Sequence, residues 1–190
     1  MARVRTFIAI DVGEEVRAQL ISLQETFATI ASGVKWVEPD NLHLTLLFLG
    51  EVQQREVLGI CRGAQKAIAD MPVFTMNIEG AGAFPNSRRP RTLWVGVGEG
   101  AEEVSAVHDA IEAPLLEEGG YRRETRAYVP HVTLGRVTGD QPGDELAKAL
   151  AQHQTWSAGE VMVKEVQVMS SELTRDGPIY TVLGRAKLQS

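Results

Sequence analysis

Residues 43 to 50 read His-Leu-Thr-Leu-Leu-Phe-Leu-Gly, and residues 131 to 134 repeat the opening as His-Val-Thr-Leu. Both stretches have the composition of β-strands, apolar and rich in leucyl or β-branched residues, and a Gly soon follows each. Successive strand side chains point to opposite faces, so His43 shares a face with Thr45, and His131 with Thr133. Leu44, Leu46 and Phe48 are expected on the opposite, apolar face of the first strand, and Val132 and Leu134 on that of the second. One such tetrad is compatible with a hydrogen-bonded core histidine beside a good strand former. Two of them, in a chain with four histidines, arise by chance on the order of once in several thousand chains of this length. The pair points to a site built twice.

The chain has 190 residues, long for one domain and short for two, and with the repeat this predicts two similar lobes within one domain spanning 1–190. A hydrophobic fraction of 44% against 23% charged residues supports a sizeable core. The single cysteine, Cys61, excludes an internal disulfide and fits a reducing compartment. The segment from Met1 to Asp11 is too short an apolar run for export or spanning, so a cytoplasmic protein without membrane association is expected.

A net charge of −6 argues against coating an extended duplex, which takes many Lys and Arg contacts to phosphates. Arginines nevertheless cluster at Arg88, Arg89 and Arg91, and again at Arg122, Arg123 and Arg126. An acidic chain with local arginine-rich loops suits a small anionic ligand.

In chain order, residues 4–10 read as a strand, and Glu14 to about Ile30 as a helix with Val16, Leu20, Leu23, Phe27 and Ile30 at helical spacing. A short extended piece at 34–37 leads through the turn cluster Pro39-Asp40-Asn41 into the first motif. A helix is predicted over Glu51–Ala69, with Cys61 as a small buried hydrophobe on its apolar stripe. Residues 73–84 and 93–97 form a predicted hairpin with a bulge near Gly80 or Gly82. Gly96, Gly98 and Gly100 match no phosphate-loop pattern, so they mark a strand end and the start of a helix over Ala101–Glu118, where His108 is a packing or surface residue. A fourth helix is predicted over Asp144 to about Gln152, closed by His153, and two last strands at 161–169 and 179–183. Hairpins mixed with helices give α+β rather than doubly wound α/β.

Two imidazoles can hold one neutral ring as base and one protonated ring as acid near neutral pH. Hydrolysis of a cyclic phosphodiester needs that pair on opposite sides of phosphorus, with hydroxyl donors for the non-bridging oxygens. Two strand histidines supply only two metal ligands, and no Cys or acidic cluster completes a tetrahedron, so no metal is expected. No Gly-x-Ser-x-Gly elbow supports a serine nucleophile.

At these residues the chain resembles the 2H phosphoesterases, and within them the RNA 2′,3′-cyclic phosphodiesterase branch, also called the bacterial and archaeal 2′-5′ RNA ligase family. The resemblance runs through Arg5-Thr-Phe-Ile-Ala-Ile, Trp36-Val-Glu-Pro-Asp-Asn-Leu-His43-Leu-Thr45-Leu-Leu-Phe-Leu-Gly50, Gly82-Ala-Phe-Pro85, Trp94-Val-Gly and Pro130-His131-Val-Thr133-Leu-Gly-Arg136. It implies two pseudo-symmetric lobes, each an antiparallel sheet backed by helices, with the motifs in a central groove. It further implies metal-independent, cofactor-free opening of an RNA-terminal 2′,3′-cyclic phosphate to a 2′-phosphomonoester. His43 would be the acid toward the 3′ oxygen and His131 the base on water, with Thr45, Thr133 and Arg136 as substrate ligands. Strand alternation points Arg136 away from the His131 face unless a bulge near Gly135 turns it round. The expected partners are RNA ends or small cyclic nucleotides, bound by a monomer. The alternatives are 2′-5′ RNA ligation, action on other small nucleotides, and a non-catalytic module that binds RNA ends.

Overall fold

Apolar residues three and four apart shape the helices of the computed structural model, which describes residues 2–118, 121, 123–139 and 143–190. Arg122 of the second arginine cluster lies outside them. In order the elements are β1 (Arg3–Asp11), α1 (Gly13–Ala28), β2 (Val34–Trp36), β3 (His43–Gln53), α2 (Val57–Ile68), β4 (Phe74–Phe84), β5 (Thr92–Val97) and α3 (Ala101–Glu118). They continue with β6 (His131–Val137), α4 (Asp144–Gln152), β7 (Ser157–Val163), β8 (Glu165–Thr174) and β9 (Gly177–Lys187). Helix α1 buries Val16, Leu20, Leu23 and Phe27, and α3 buries Val104, Val107 and Ile111.

The strands join in the order β7-β4-β5-β6-β3-β1-β8-β9, with β2 paired to β6. Every pairing between these strands is antiparallel. The two expected lobes therefore share one continuous sheet of α+β architecture. Its halves, β3-β1-β8-β9 and β6-β5-β4-β7, mirror each other across a seam between the two motif strands. That seam rests on a single ladder pair, Leu44 opposite Val132. Both side chains are fully buried. Each contributes about 1.5–3 kcal/mol by leaving water, and a one-residue slip would turn both into solvent.

Helices α1 and α3 reach across to strands of the other half, whereas α2 and α4 do not. Helix α1, between β1 and β3, packs on β7 and β6, whereas α3, between β5 and β6, packs chiefly on α2 and bridges β3 and β4. Helix α2 lies against β9, and α4 against β4.

Three sequence expectations are corrected. The helix predicted from Glu51 starts only at Val57, because β3 runs on to Gln53. There Arg3–Arg5 of β1 offers it a pairing edge, and Gly50, at φ +70°, takes the bend. The run Val161–Met169 is two strands broken at Lys164, since β7 pairs with β4 at one end of the sheet and β8 with β1 in the other half. Cys61 is half-buried rather than buried, packed over Gly184, where an added Cβ would lie 2.5 Å from its sulfur. The bulge expected in β4 is present between Glu79 and Ala81, with Gly80 at φ +80°.

Candidate active site

Antiparallel register at the seam puts His43 beside Thr133 and Thr45 beside His131, because Leu44 and Val132 are opposite. The two imidazoles then stand on a diagonal of one face, an offset for which backbone separations of about 7–8 Å are usual.

Both rings are held the same way. His43 Nδ1 donates to the Asn41 carbonyl and His131 Nδ1 to the Val129 carbonyl, each at 2.6 Å. A carbonyl only accepts, so the proton sits on Nδ1 and each Nε2 is left for chemistry. His43 Nε2 lies 2.8 Å from Thr45 Oγ1. When that ring is neutral the hydroxyl donates to Nε2, and when it is protonated Nε2–H donates to the hydroxyl oxygen, whose own O–H is then free to donate to a ligand.

Each motif strand bulges directly after its threonine. Across β1–β3 the partners step from Thr45 to Leu47, skipping Leu46; across β5–β6 they step from Thr133 to Gly135, skipping Leu134. An extra residue inverts the alternation beyond it. Phe48, expected on the apolar face, is thereby turned out, 43% exposed. Arg136, three positions after Thr133 as Phe48 is three after Thr45, is likewise turned onto the open side. Its Nη1 reaches Thr92 Oγ1 at 3.4 Å.

A cavity of about 270 Å³ opens here, lined by His43, Thr45, Phe48, Thr133, Arg136 and Tyr180, and extends to Trp36, Glu38 and the β8–β9 turn. His131 is not on that lining. It stands two positions from Thr133 on the same strand face, edge-on to Phe84 at 5.0 Å and 6.1 Å from the Trp94 ring. His43 stacks on Phe7 at 5.0 Å and meets Tyr180 edge-on at 5.3 Å. Arg17 secures the approach to His43, donating to the Pro39 and Leu42 carbonyls at 3.0 and 2.8 Å and to Asp11 at 2.6 Å. Asn41 Nδ2 donates to the Pro178 carbonyl at 2.8 Å, tying the β8–β9 turn to the residue that orients His43.

The Trp94 indole lies over Gly82, where an added Cβ would collide with the ring. Gly82→Ala is expected to push the indole off its place near His131. A decrease in kcat of about tenfold should follow from the lost alignment, with a shifted tryptophan emission and an unchanged far-UV spectrum as the checks.

Burial lowers both histidine pKa values below 6.5. At His131 the Arg136 charge adds to that fall and the bond to Val129 opposes it. At His43 the Asn41 bond opposes it, Arg17 adds to it and Asp11 works against it.

Arg88, Arg89 and Arg91 are exposed in the β4–β5 turn and line no part of the cavity. Arg123 is bound to Glu112 on α3 at 2.8 Å. Among the described residues His108, Asp109 and Glu112 could approach one ion. However, the Glu112 oxygens already accept from the Tyr121 hydroxyl and the Arg123 guanidinium. His153 caps α4 by donating from Nδ1 to the Ala149 carbonyl at 2.7 Å.

Sequence reasoning gives no place at this site to Tyr180 or Arg17, and names Asn41, Phe48, Phe84 and Trp94 only as parts of strands, a turn or the strings that carry the resemblance. The turn cluster at Pro39–Asn41 was visible, but not that its carbonyls hold a histidine and receive an arginine. Tyr180 arrives from a strand whose register no local pattern sets.

The family model described as LigT like Phosphoesterase matches residues 10–94 and residues 95–180, with one motif strand in each. The RNA 2′,3′-cyclic phosphodiesterase of Methanothermobacter thermautotrophicus is 38% identical over 94% of this chain and 96% of its own. Among solved structures, TT0787 of Thermus thermophilus aligns with a TM-score of 0.82 at 30% identity, covering 97% of both chains. LigT of E. coli complexed with 3′-AMP aligns with a TM-score of 0.78 at 26% identity, covering 100% of both. Each matched segment thus contributes one motif strand, and each supplies strands to both halves of the sheet. The chain belongs to the LigT-like phosphoesterase family.

Proposed function

We propose that the chain hydrolyses RNA-terminal 2′,3′-cyclic phosphodiesters to 2′-phosphomonoesters, with His43 and His131 as acid and base. The observation that carries this reading is the pair of imidazoles fixed through Nδ1 by backbone carbonyls at 2.6 Å, on strands in register at the seam. The activity named for the Methanothermobacter relative, and the nucleotide bound to the E. coli one, agree with it.

His131 Nε2 takes a proton from water as the oxygen attacks phosphorus. The bond to the ribose 3′ oxygen breaks on the far side, and His43 Nε2 supplies the proton that oxygen needs. The product carries its phosphate on the 2′ oxygen. Thr45, Thr133 and Arg136 face the non-bridging oxygens, where negative charge builds, and a low-dielectric cleft strengthens their pull. The Arg136 charge favours the neutral His131 ring, the form a base requires.

The test is incubation with oligoribonucleotides ending in a 2′,3′-cyclic phosphate, followed by separation of 2′- from 3′-phosphate ends. Accumulation of the 2′-phosphate supports the reading, and either an untouched cyclic end or a 3′-phosphate product overturns it. A pH prediction accompanies it. Profiles of kcat/KM report the free enzyme, in which both histidine values are lowered by burial. The optimum should therefore lie on the acid side of about 6.5, the ordinary histidine value. In kcat both limbs should move to higher pH, because the bound phosphodiester anion favours imidazolium. Initial rates across pH 4–9 check this, and an optimum of kcat/KM above pH 8 would exclude the pair.

A further inference from the structure

The residues that lead into β6 contact both motifs. Glu112 on α3 is 4% exposed and accepts from the Tyr121 hydroxyl at 3.1 Å and from Arg123 Nε at 3.0 Å. These bonds fasten the start of the segment to the helix. Further along, the Tyr128 ring stacks on His108 of the same helix, centroids 4.0 Å apart and planes within 8°. The Tyr128 hydroxyl then donates to the backbone carbonyl of Thr45 in the first motif, at 3.0 Å. Its neighbour Val129 supplies the carbonyl that orients His131 in the second.

We infer that Tyr128 is a positioning residue that sets the spacing between the two motifs, and with it the gap across which both imidazoles address one phosphorus. The inference rests on the two-histidine reading above. Strand β3 itself meets β6 in one ladder pair; the other pairs β6 makes on that side are with β2, at Val34–Trp36, so the Tyr128 bond adds a second direct tie between the two motif strands. Burial raises the pKa of the Tyr128 hydroxyl above its ordinary value, so it stays a donor throughout the working pH range. The ring is held separately by His108, so Tyr128→Phe removes the bridge and little else.

Parent and Tyr128→Phe would be compared with a ribonucleoside 2′,3′-cyclic monophosphate, well below the melting temperature of both. The expected result is a kcat lowered by about tenfold with KM within about twofold, since displacement of aligned groups costs rate rather than binding. In the His131→Ala background the same change should lower kcat by less than about twofold, because the geometry that Tyr128 sets is no longer used. A purely structural tyrosine would cause the same loss in both backgrounds.

Proton NMR of the hydrogen-bonded Nδ1–H groups gives a reading independent of turnover. The His43 and His131 resonances should both move in Tyr128→Phe, while that of His153, bonded to Ala149, stays in place as the reference. Unmoved His43 and His131 resonances overturn the inference whatever the kinetics, and so does a kcat equal to the parent's or an equal loss in both backgrounds. A parent without turnover would sink the two-histidine reading, and the resonances would then decide the role of Tyr128 alone.

Discussion

Replacing His43 or His131 with alanine is expected to lower kcat by about 10²–10⁴-fold, the range for losing one positioned proton-transfer group. The fold should persist in both variants. Each ring is half-buried at the open face of its strand, and its anchoring carbonyl, at Asn41 or Val129, lies close enough to the cleft to find water in its place. The stability cost should be near that of one hydrogen bond, about 1 kcal/mol. If the proposed acid and base act on one transition state, the double variant should be little slower than either single one, because their losses then do not add. Steady-state rates with a cyclic nucleotide, beside circular dichroism of each variant, check this. A folded variant that keeps the parent rate would remove its histidine from the mechanism.

The largest structural effect is expected at Gly100, directly ahead of α3. Its φ of +85° is left-handed, and an added Cβ would sit 2.5 Å from the Thr75 carbonyl oxygen and 2.7 Å from the Met76 Cα. Those are backbone atoms of β4 and cannot swing aside. The left-handed backbone alone costs a non-glycine residue about 1–2 kcal/mol, and driving α3 off β4 should bring Gly100→Ala to about 3–5 kcal/mol. Gly50 is the control: φ is +70°, but an added Cβ meets nothing within 4 Å. Gly50→Ala should therefore cost only the conformational part, about 1–2 kcal/mol. Urea unfolding of both variants separates the two contributions, and equal midpoints would show that the close approach at Gly100 carries no cost.

The pairing of His43 with Thr45, and of His131 with Thr133, is legible in the sequence because strand alternation is a local property. The same holds for α3, whose predicted bounds coincide with those observed, since helical periodicity needs no partner. What lies one bulge further on is not legible. Phe48 looks like a core residue until Leu46 is skipped by β1, and Arg136 looks misdirected until Leu134 is skipped by β5. Both shifts belong to the pairing of two strands and cannot be read from the alternation of one strand alone. The same reason hid the break at Lys164: a run of apolar or alternating residues looks like one strand until two different partners claim its halves.

Helix α1 leaves the strands that bracket it for the other half of the sheet, and α3 reaches across to β3 and α2 while still touching β4. The molecule is thereby interlocked like clasped hands, and neither side owns all the apolar cover it needs. Loosening either side should weaken the support beneath both histidines at once. Divergence of such a chain would then be steered toward paired, compensating changes on the two sides rather than independent drift of one.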